Sequence, residues 1–286
     1  MDILEIKRRF SDAVDNVVLV ESQKQSKKQE ITKKINQVLS EAKNALIESN
    51  ESKEISDILL IEYWTYIYML NGRQRVWEYD YMSFSRRIGE LWESFMKVPF
   101  IYSENISIEQ PLEYKDVRAK QRAKFLEELD KIPSSSQSKI NTKKEFDDVL
   151  KVLDSQGIAI NLDLHFKKND IHYVIDFKAG FKSNEKGNTN RLLSVAAIYK
   201  DWLIDETYIP ILLVRTTKGG NNYLEKLKKS PLWEVYQGKQ TYDQVHKLTG
   251  FDLKQWKDQN LNWEKDLNQS FYSFLKTNDL AKYLEW

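Results

Sequence analysis

Two short segments of this chain alternate apolar and polar residues with a period of two, within a sequence otherwise patterned for helices. Apolar side chains occupy every second position over residues 158–166 and again over residues 171–181. Such alternation is typical of β-strands, and two runs joined by a few polar residues predict a β-hairpin. We therefore expect β-strands within a largely helical chain.

Helical patterns on both sides of the hairpin predict a mixed fold. Residues 1–100 contain only two glycines and one proline, and apolar residues recur there at helical spacing. After the hairpin, residues 190–203 predict an amphipathic helix and residues 208–214 a buried strand. The order strand, strand, helix, strand predicts an α/β (α+β) core with a mixed sheet flanked by helices.

We expect two regions along the chain. Residues 1–105 form a helical N-terminal region, in which Asn71-Gly72 ends one helix and the last helix, residues 83–97, packs on the core. Residues 106–286 form the strand-bearing core together with the C-terminal helices, or the two regions form one continuous domain.

The composition excludes several classes of protein. The absence of cysteine rules out disulfides, thiolate catalysis, iron–sulfur clusters and cysteine zinc sites. A net charge of +1 rules out a histone-like polycation but leaves room for a local basic cleft. The first residues are charged and contain no apolar signal-peptide core, so we expect a cytoplasmic protein with no membrane partner.

The expected register of the hairpin depends on its loop. A four-residue loop at residues 167–170 places Phe166 opposite Ile171 and His165 opposite His172. Two facing histidines raise the question of a zinc site. Because the local sequence supplies no obvious further ligands, a cross-strand polar contact is the favoured interpretation.

The same register brings two carboxylates and a lysine to one face. Asp163 lies diagonally across from Asp176, with Cβ atoms roughly 7 Å apart, and Lys178 follows on the same face. Such a pair of carboxylates suits Mg²⁺, which takes one or two carboxylates and completes its shell with water and phosphate. From the spacing alone, a hairpin with one solvated polar face is the favoured interpretation.

Asp163, followed thirteen residues later by Asp176-Phe177-Lys178, resembles the motif of the PD-(D/E)xK nuclease superfamily. In that superfamily the first acid and the D/E-x-K lie on adjacent antiparallel strands of an αβββαβ core, the restriction-endonuclease-like fold. The strand, helix and strand order around the motif is similar to that core. Leu162 stands where the family pattern has proline.

A second segment, Gly89-Glu90-Leu91-Trp92-Glu93, resembles the GExxE helix of many type II restriction endonucleases. In those enzymes a helical glutamate completes the acidic cluster. The resemblance favours Glu93 for this role over Glu90, which follows Arg86 by four residues in the spacing of a surface ion pair.

The resemblance implies a Mg²⁺-dependent type II restriction endonuclease that hydrolyses phosphodiester bonds of double-stranded DNA at a specific, palindromic site. Asp163, Asp176 and the backbone carbonyl of Phe177 would ligate the metal, for which Mn²⁺ can substitute. Lys178 would orient or deprotonate the attacking water. By family analogy the protein is a homodimer with a cognate DNA methyltransferase as its genetic partner.

The polar segment after the motif is a candidate for phosphate contacts at the start of a helix. Its candidate residues are Lys182, Ser183, Asn184, Asn188, Asn190 and Arg191. Two alternatives stay open. One is another PD-(D/E)xK nuclease, for repair or junction resolution; the other is a non-catalytic DNA- or protein-binding protein.

Overall fold

The computed structural model describes residues 2–155, 159–181, 186–203, 206–215 and 221–286. The chain divides into two compact units. The first joins Met1–Ile106 to Gly238–Trp286, and the second is Ser107–Gln237.

The elements follow one another in a mixed α/β order. They are α1 (Ile3–Gln23), α2 (Lys28–Ser49), α3 (Ile55–Val76), α4 (Tyr81–Ile101), β1 (Ser107–Ile108), α5 (Tyr114–Lys131), α6 (Ser136–Ser155), β2 (Leu164–Lys168), β3 (Ile171–Lys178), α7 (Lys186–Ala197), β4 (Tyr208–Val214), α8 (Asn222–Lys229), β5 (Glu234–Gln237), α9 (Lys239–Thr249), α10 (Leu253–Asn260), α11 (Trp263–Asp266) and α12 (Gln269–Thr277). A π-helical turn, Ile198–Trp202, follows α7, and a 3₁₀ turn, Ala281–Leu284, follows α12. In the described part of the chain, no helix combines the length and the apolar character needed to span a bilayer.

Helix α4 confirms the helix predicted over residues 83–97. Its start is fixed by a capping box, in which the Asp80 side chain accepts a hydrogen bond from the backbone N–H of Ser83 at 2.7 Å. Its apolar stripe, which includes Phe84, Ile88 and Trp92, is buried. Helix α4 therefore contributes to the core of the first unit.

The expected helix end at Asn71-Gly72 is wrong, because α3 continues to Val76. A Cβ atom added at Gly72 would lie 2.7 Å from Cγ1 of Val14 on α1, too close for an ordinary contact. Gly72 therefore allows α1 to approach α3 closely, which outweighs its low helix propensity.

The C-terminal helices belong to the first unit, whereas the sequence analysis grouped them with the strand-bearing core. The Tyr63 hydroxyl donates a hydrogen bond to Asp266 at 2.8 Å, and the rings of Tyr79 and Phe271 stack with centroids 5.9 Å apart. These contacts attach α11 to α3, and α12 to the segment between α3 and α4. An amphipathic pattern shows that a face is buried but not which element covers it.

The strands described in the second unit form one mixed sheet in the order β1-β2-β3-β4-β5. Pairing is antiparallel from β1 to β3 and parallel from β3 to β5. Strand β4 coincides with the predicted strand and is apolar on both faces, as expected between two paired neighbours. The short strands β1 and β5 were not predicted, because two and four residues give no periodic signal.

The hairpin turn is shorter than expected and moves the register by two residues. Asn169 and Asp170 have φ angles of +50° and +60°, which is the backbone of a two-residue type I′ turn. His165 therefore lies opposite Val174, and the expected pairing with His172 is wrong. Asn and Asp tolerate left-handed backbone, so this pair supports a turn that matches the twist of the strands.

The face of β3 that carries Asp176 is covered rather than solvated. Val174 of β3 and Leu212 of β4 join a buried cluster with Leu192 and Val195 of α7. Helix α7 begins at Lys186, four residues before the predicted start. The predicted strand over residues 158–166 is a strand only from Leu164, and Ile158 lies outside the described residues.

Candidate active site

The candidate site lies at the carboxyl end of β3. Asp176 and Lys178 occupy the last residues of this strand, and β4 runs parallel beside it, with Asp176 opposite Leu212. In open sheets with parallel strands, ligands bind at the carboxyl ends of the strands. Asp176 is only 1% exposed, so its carboxylate lies within the fold.

Asp163 sits at a bend directly before β2 and is tied to β3. Its Oδ2 atom accepts a hydrogen bond from the backbone N–H of Phe177 at 2.8 Å. The observed ladder between β2 and β3 ends at the pair Leu164 and Ile175, so Asp163 lies one residue beyond it, beside the end of β3. The expected diagonal placement of the two acids followed from a register that the tighter turn shifts by two residues.

His165 positions the bend that carries Asp163. Its Nε2 atom accepts a hydrogen bond from the backbone N–H of Leu162 at 3.1 Å, so the ring is neutral with its proton on Nδ1. The side chain is 5% exposed, and this burial lowers the pKa of His165 to about 4. His165 is thus a buried structural acceptor.

His172 has different partners from those expected. It lies opposite Lys167, and its Nδ1 atom is 2.8 Å from Oε2 of Glu109. The two histidines therefore do not face each other, and the predicted cross-strand contact between them does not form.

Among the described residues, two cationic side chains from different elements contact Asp176. The Lys178 ammonium contacts its Oδ1 atom, and a guanidinium nitrogen of Arg191 on α7 lies 3.3 Å from its Oδ2 atom. Burial raises the pKa of Asp176, the two cations act to lower it, and the nearby Asp163 raises it. The two cationic side chains therefore offset part of the cost of burying this carboxylate.

The two carboxylates are donors of the kind that a hard divalent cation prefers. Asp163 lies directly before β2 and Asp176 on β3, and two cationic side chains supply positive charge at the buried Asp176. No group of three or more His, Cys, Asp or Glu side chains suited to a metal occurs in the described ranges. A Mg²⁺ ion held by these two carboxylates would also take ligands from water and substrate.

The two glutamates of the GExxE-like segment lie on α4 in the first unit. Glu93 pairs with Lys97 at 2.6 Å, and Glu90 pairs with Arg86 at 2.9 Å and with Arg87 at 2.6 Å. The ion pair expected between Arg86 and Glu90 is confirmed. A role for Glu93 at the site stays a prediction.

The candidates for DNA contact fall into two groups. Lys182, Ser183 and Asn184 lie outside the described residues. Asn188, Asn190 and Arg191 lie on α7, where Asn190 is exposed. The contact between Arg191 and Asp176 was not predicted, because a single basic residue on a following helix leaves no spacing signal.

Comparison with protein-family models finds no match, and comparisons with curated proteins and with solved structures also find none. We therefore infer the function from the chemistry of the site. Paired carboxylates with an adjacent ammonium are suited to holding a divalent cation beside a group that stabilises developing negative charge.

Proposed function

We propose that this protein is a Mg²⁺-dependent nuclease of the PD-(D/E)xK type that hydrolyses phosphodiester bonds in double-stranded DNA. One observation carries the proposal. Asp163, directly before β2, accepts a hydrogen bond from the main chain of β3 next to Asp176, and Lys178 contacts Asp176. The residue types match the motif, and their places on adjacent antiparallel segments support the proposal.

The sheet topology supports the proposal. Strands β1, β2 and β3 are consecutive in an antiparallel arrangement, and α7 leads to β4, which is parallel to β3. This is similar to the order of the αβββαβ core. Helices α5 and α6, inserted between β1 and β2, are additional to that order.

Each residue of the site has a role in this proposal. Asp163 and Asp176 would hold the cation, with the Phe177 carbonyl as a further ligand. When bound, Mg²⁺ would lower the pKa of a water molecule and neutralise charge on the phosphate. The Lys178 ammonium would orient the attacking water and stabilise negative charge as it develops. Asn188, Asn190 and Arg191, on the helix after the motif, would contact DNA phosphates.

The narrower proposal is a type II restriction endonuclease. It adds a homodimer, a palindromic recognition site, Glu93 as support for the acidic cluster, and a cognate methyltransferase as genetic partner. It also implies that the protein acts in the cytoplasm, where its DNA substrate is.

The direct test is digestion of unmethylated phage DNA by the purified protein with Mg²⁺. Discrete fragments with ends at one palindromic sequence would support the restriction enzyme, whereas cleavage of only branched or damaged DNA would support the repair alternative. Ca²⁺ should support DNA binding without cleavage.

Matched variants make this test decisive. Asp163→Asn and Asp176→Asn should each abolish cleavage and leave DNA binding largely intact. Asp147→Asn is the control, since Asp147 is an acid paired with Arg122 on the α5 and α6 hairpin. No cleavage of any DNA by the wild type, or cleavage by both site variants, would contradict the proposal.

A further inference from the structure

The buried carboxylate of Asp176 has two cationic partners that differ in kind. Lys178 comes from the same strand, two residues away, and contacts Oδ1. Arg191 comes from α7 and approaches Oδ2 at 3.3 Å, which is long for a charge-assisted hydrogen bond. Arg191 therefore makes a single, long contact with this carboxylate.

Arg191 also has an alternative environment. Its side chain is 32% exposed, whereas that of Asp176 is 2% exposed. A guanidinium that reaches solvent can turn away from the carboxylate without becoming a buried, unpaired charge. Arginine also recognises phosphate through two parallel N–H donors, a geometry that a single contact to Asp176 leaves unused.

We propose that Arg191 exchanges partners during the reaction cycle. It neutralises Asp176 when no divalent cation is bound, and it turns to a DNA phosphate when a cation takes over that charge. This inference rests on the proposed nuclease function and names the residue that couples metal binding to DNA binding. Because the same guanidinium cannot serve both partners, the cation and DNA favour each other's binding.

The exchange predicts opposite effects of one substitution. Arg191→Met removes a competitor for Asp176, so Mg²⁺ should bind about fivefold more tightly in the absence of DNA. The same variant lacks the phosphate contact, so duplex DNA should bind about tenfold more weakly in Ca²⁺. An arginine that only stabilised the fold would weaken both equilibria or neither.

The test measures both equilibria in the full-length protein. Calorimetric titration with Mg²⁺ alone gives the metal affinity, and anisotropy of a labelled mixed-sequence duplex in Ca²⁺ gives the DNA affinity. Arg191→Lys retains the charge and should lie between the wild type and Arg191→Met. Arg122→Met, at an arginine paired with Asp147, is the control and should leave the Mg²⁺ affinity unchanged.

The outcomes separate this inference from the function on which it rests. Wild-type protein that binds Mg²⁺ while Arg191→Met shows unchanged or weaker Mg²⁺ affinity overturns the exchange alone. So does unchanged DNA affinity of that variant in Ca²⁺. Wild-type protein that binds no Mg²⁺ overturns the nuclease as well. If Arg191→Met does not fold, Arg191→Gln, which also removes the charge, is measured against the same criteria.

Discussion

The carboxylate of Asp163 accepts a hydrogen bond from the backbone N–H of Phe177, the residue next to Asp176. This bond ties the bend before β2 to the end of β3. It gives Asp163 a structural role that is independent of any bound cation, since it satisfies a main-chain donor near the buried Asp176.

The two roles of Asp163 can be separated by two substitutions. Asp163→Asn keeps an oxygen acceptor for the Phe177 N–H and removes the charge, so we expect near-wild-type stability and no cleavage. Asp163→Ala removes the acceptor as well and should lower the free energy of unfolding by about 1 kcal/mol. Urea unfolding of both variants, beside a cleavage assay, checks this. Equal free energies of unfolding would show that the hydrogen bond from Phe177 to Asp163 does not stabilise the fold.

Asp176→Asn should stabilise the folded protein while it abolishes cleavage. Burial raises the pKa of Asp176, so ionising this carboxyl costs more free energy in the folded protein than in the unfolded chain. The contribution of protonated Asp176 to the free energy of unfolding is fully present below the pKa of this residue in the unfolded chain. It is lost as the pH rises through its pKa in the folded protein. Asparagine mimics the neutral form at every pH, so the melting temperature at neutral pH should rise.

Asp147→Asn is the matched control for this stability measurement. The pKa of Asp147 is lowered, chiefly by its hydrogen bond with Arg122, so the charged form is favoured there. Its amide variant should therefore have an unchanged or slightly lower melting temperature. A clear fall in melting temperature for Asp176→Asn would mean that the ion pairs of this residue outweigh its burial.

Much of the fold could be predicted from periodicity. The helix of α4 and the strand β4 follow directly from apolar spacing, because each buries a regular face or a continuous apolar run. The registers and partners could not be predicted in the same way. The turn at Asn169 and Asp170 depends on left-handed backbone, and a change of two residues in loop length alters every cross-strand pair.

The shared face of the candidate site residues could be predicted from the period-two alternation of the strands. The register differs from the expected one by two residues, and an even shift leaves every side chain on the same face of its strand. The expectation that Asp163, Asp176 and Lys178 share one face therefore did not depend on the exact register. Burial of this polar face was not predictable. It depends on the packing of α7, which also brings Arg191 to Asp176 across fifteen residues of sequence.

Acid should destabilise the protein through His165. Its pKa is about 4 in the folded protein, below the ordinary value of 6.5, so the unfolded chain binds the proton more readily in that interval. The stabilising contribution is present above pH 6.5 and is lost as the pH falls toward 4, by about 3 kcal/mol in all. Urea unfolding across this range should show a steeper loss for the wild type than for His165→Gln; parallel curves would contradict it.

Glu93 and Glu90 provide a test of the GExxE resemblance. Both form surface ion pairs on α4, so alanine at either position should change the free energy of unfolding by less than about 0.5 kcal/mol. If Glu93 supports the metal site, Glu93→Ala should reduce the cleavage rate by about tenfold or more, and Glu90→Ala should reduce it less. Cleavage rates close to that of the wild type for both variants would contradict a role of the GExxE-like segment at the metal site.

Lys178→Met tests the chemistry of the site most directly. Methionine keeps much of the apolar stem but removes the ammonium that contacts the buried Asp176. The pKa of Asp176 should rise further, because burial then acts against one cation instead of two. We therefore expect a modestly lower melting temperature, and a smaller change when the same substitution is made in Asp176→Asn, where the ion pair is already absent.

The cleavage rate distinguishes a catalytic lysine from a lysine that only neutralises Asp176. Removal of a preorganised group that stabilises charge in a transition state lowers turnover by roughly 10²–10³. Mg²⁺ affinity should stay the same or become tighter, because a positive charge beside the carboxylates is lost. Single-turnover cleavage at saturating Mg²⁺ measures the chemical step, and Lys178→Arg is the charge-retaining control. A rate for Lys178→Met within about threefold of wild type would show that Asp176-Phe177-Lys178 is a structural ion pair, since an effect that small falls far below the loss expected for a catalytic group.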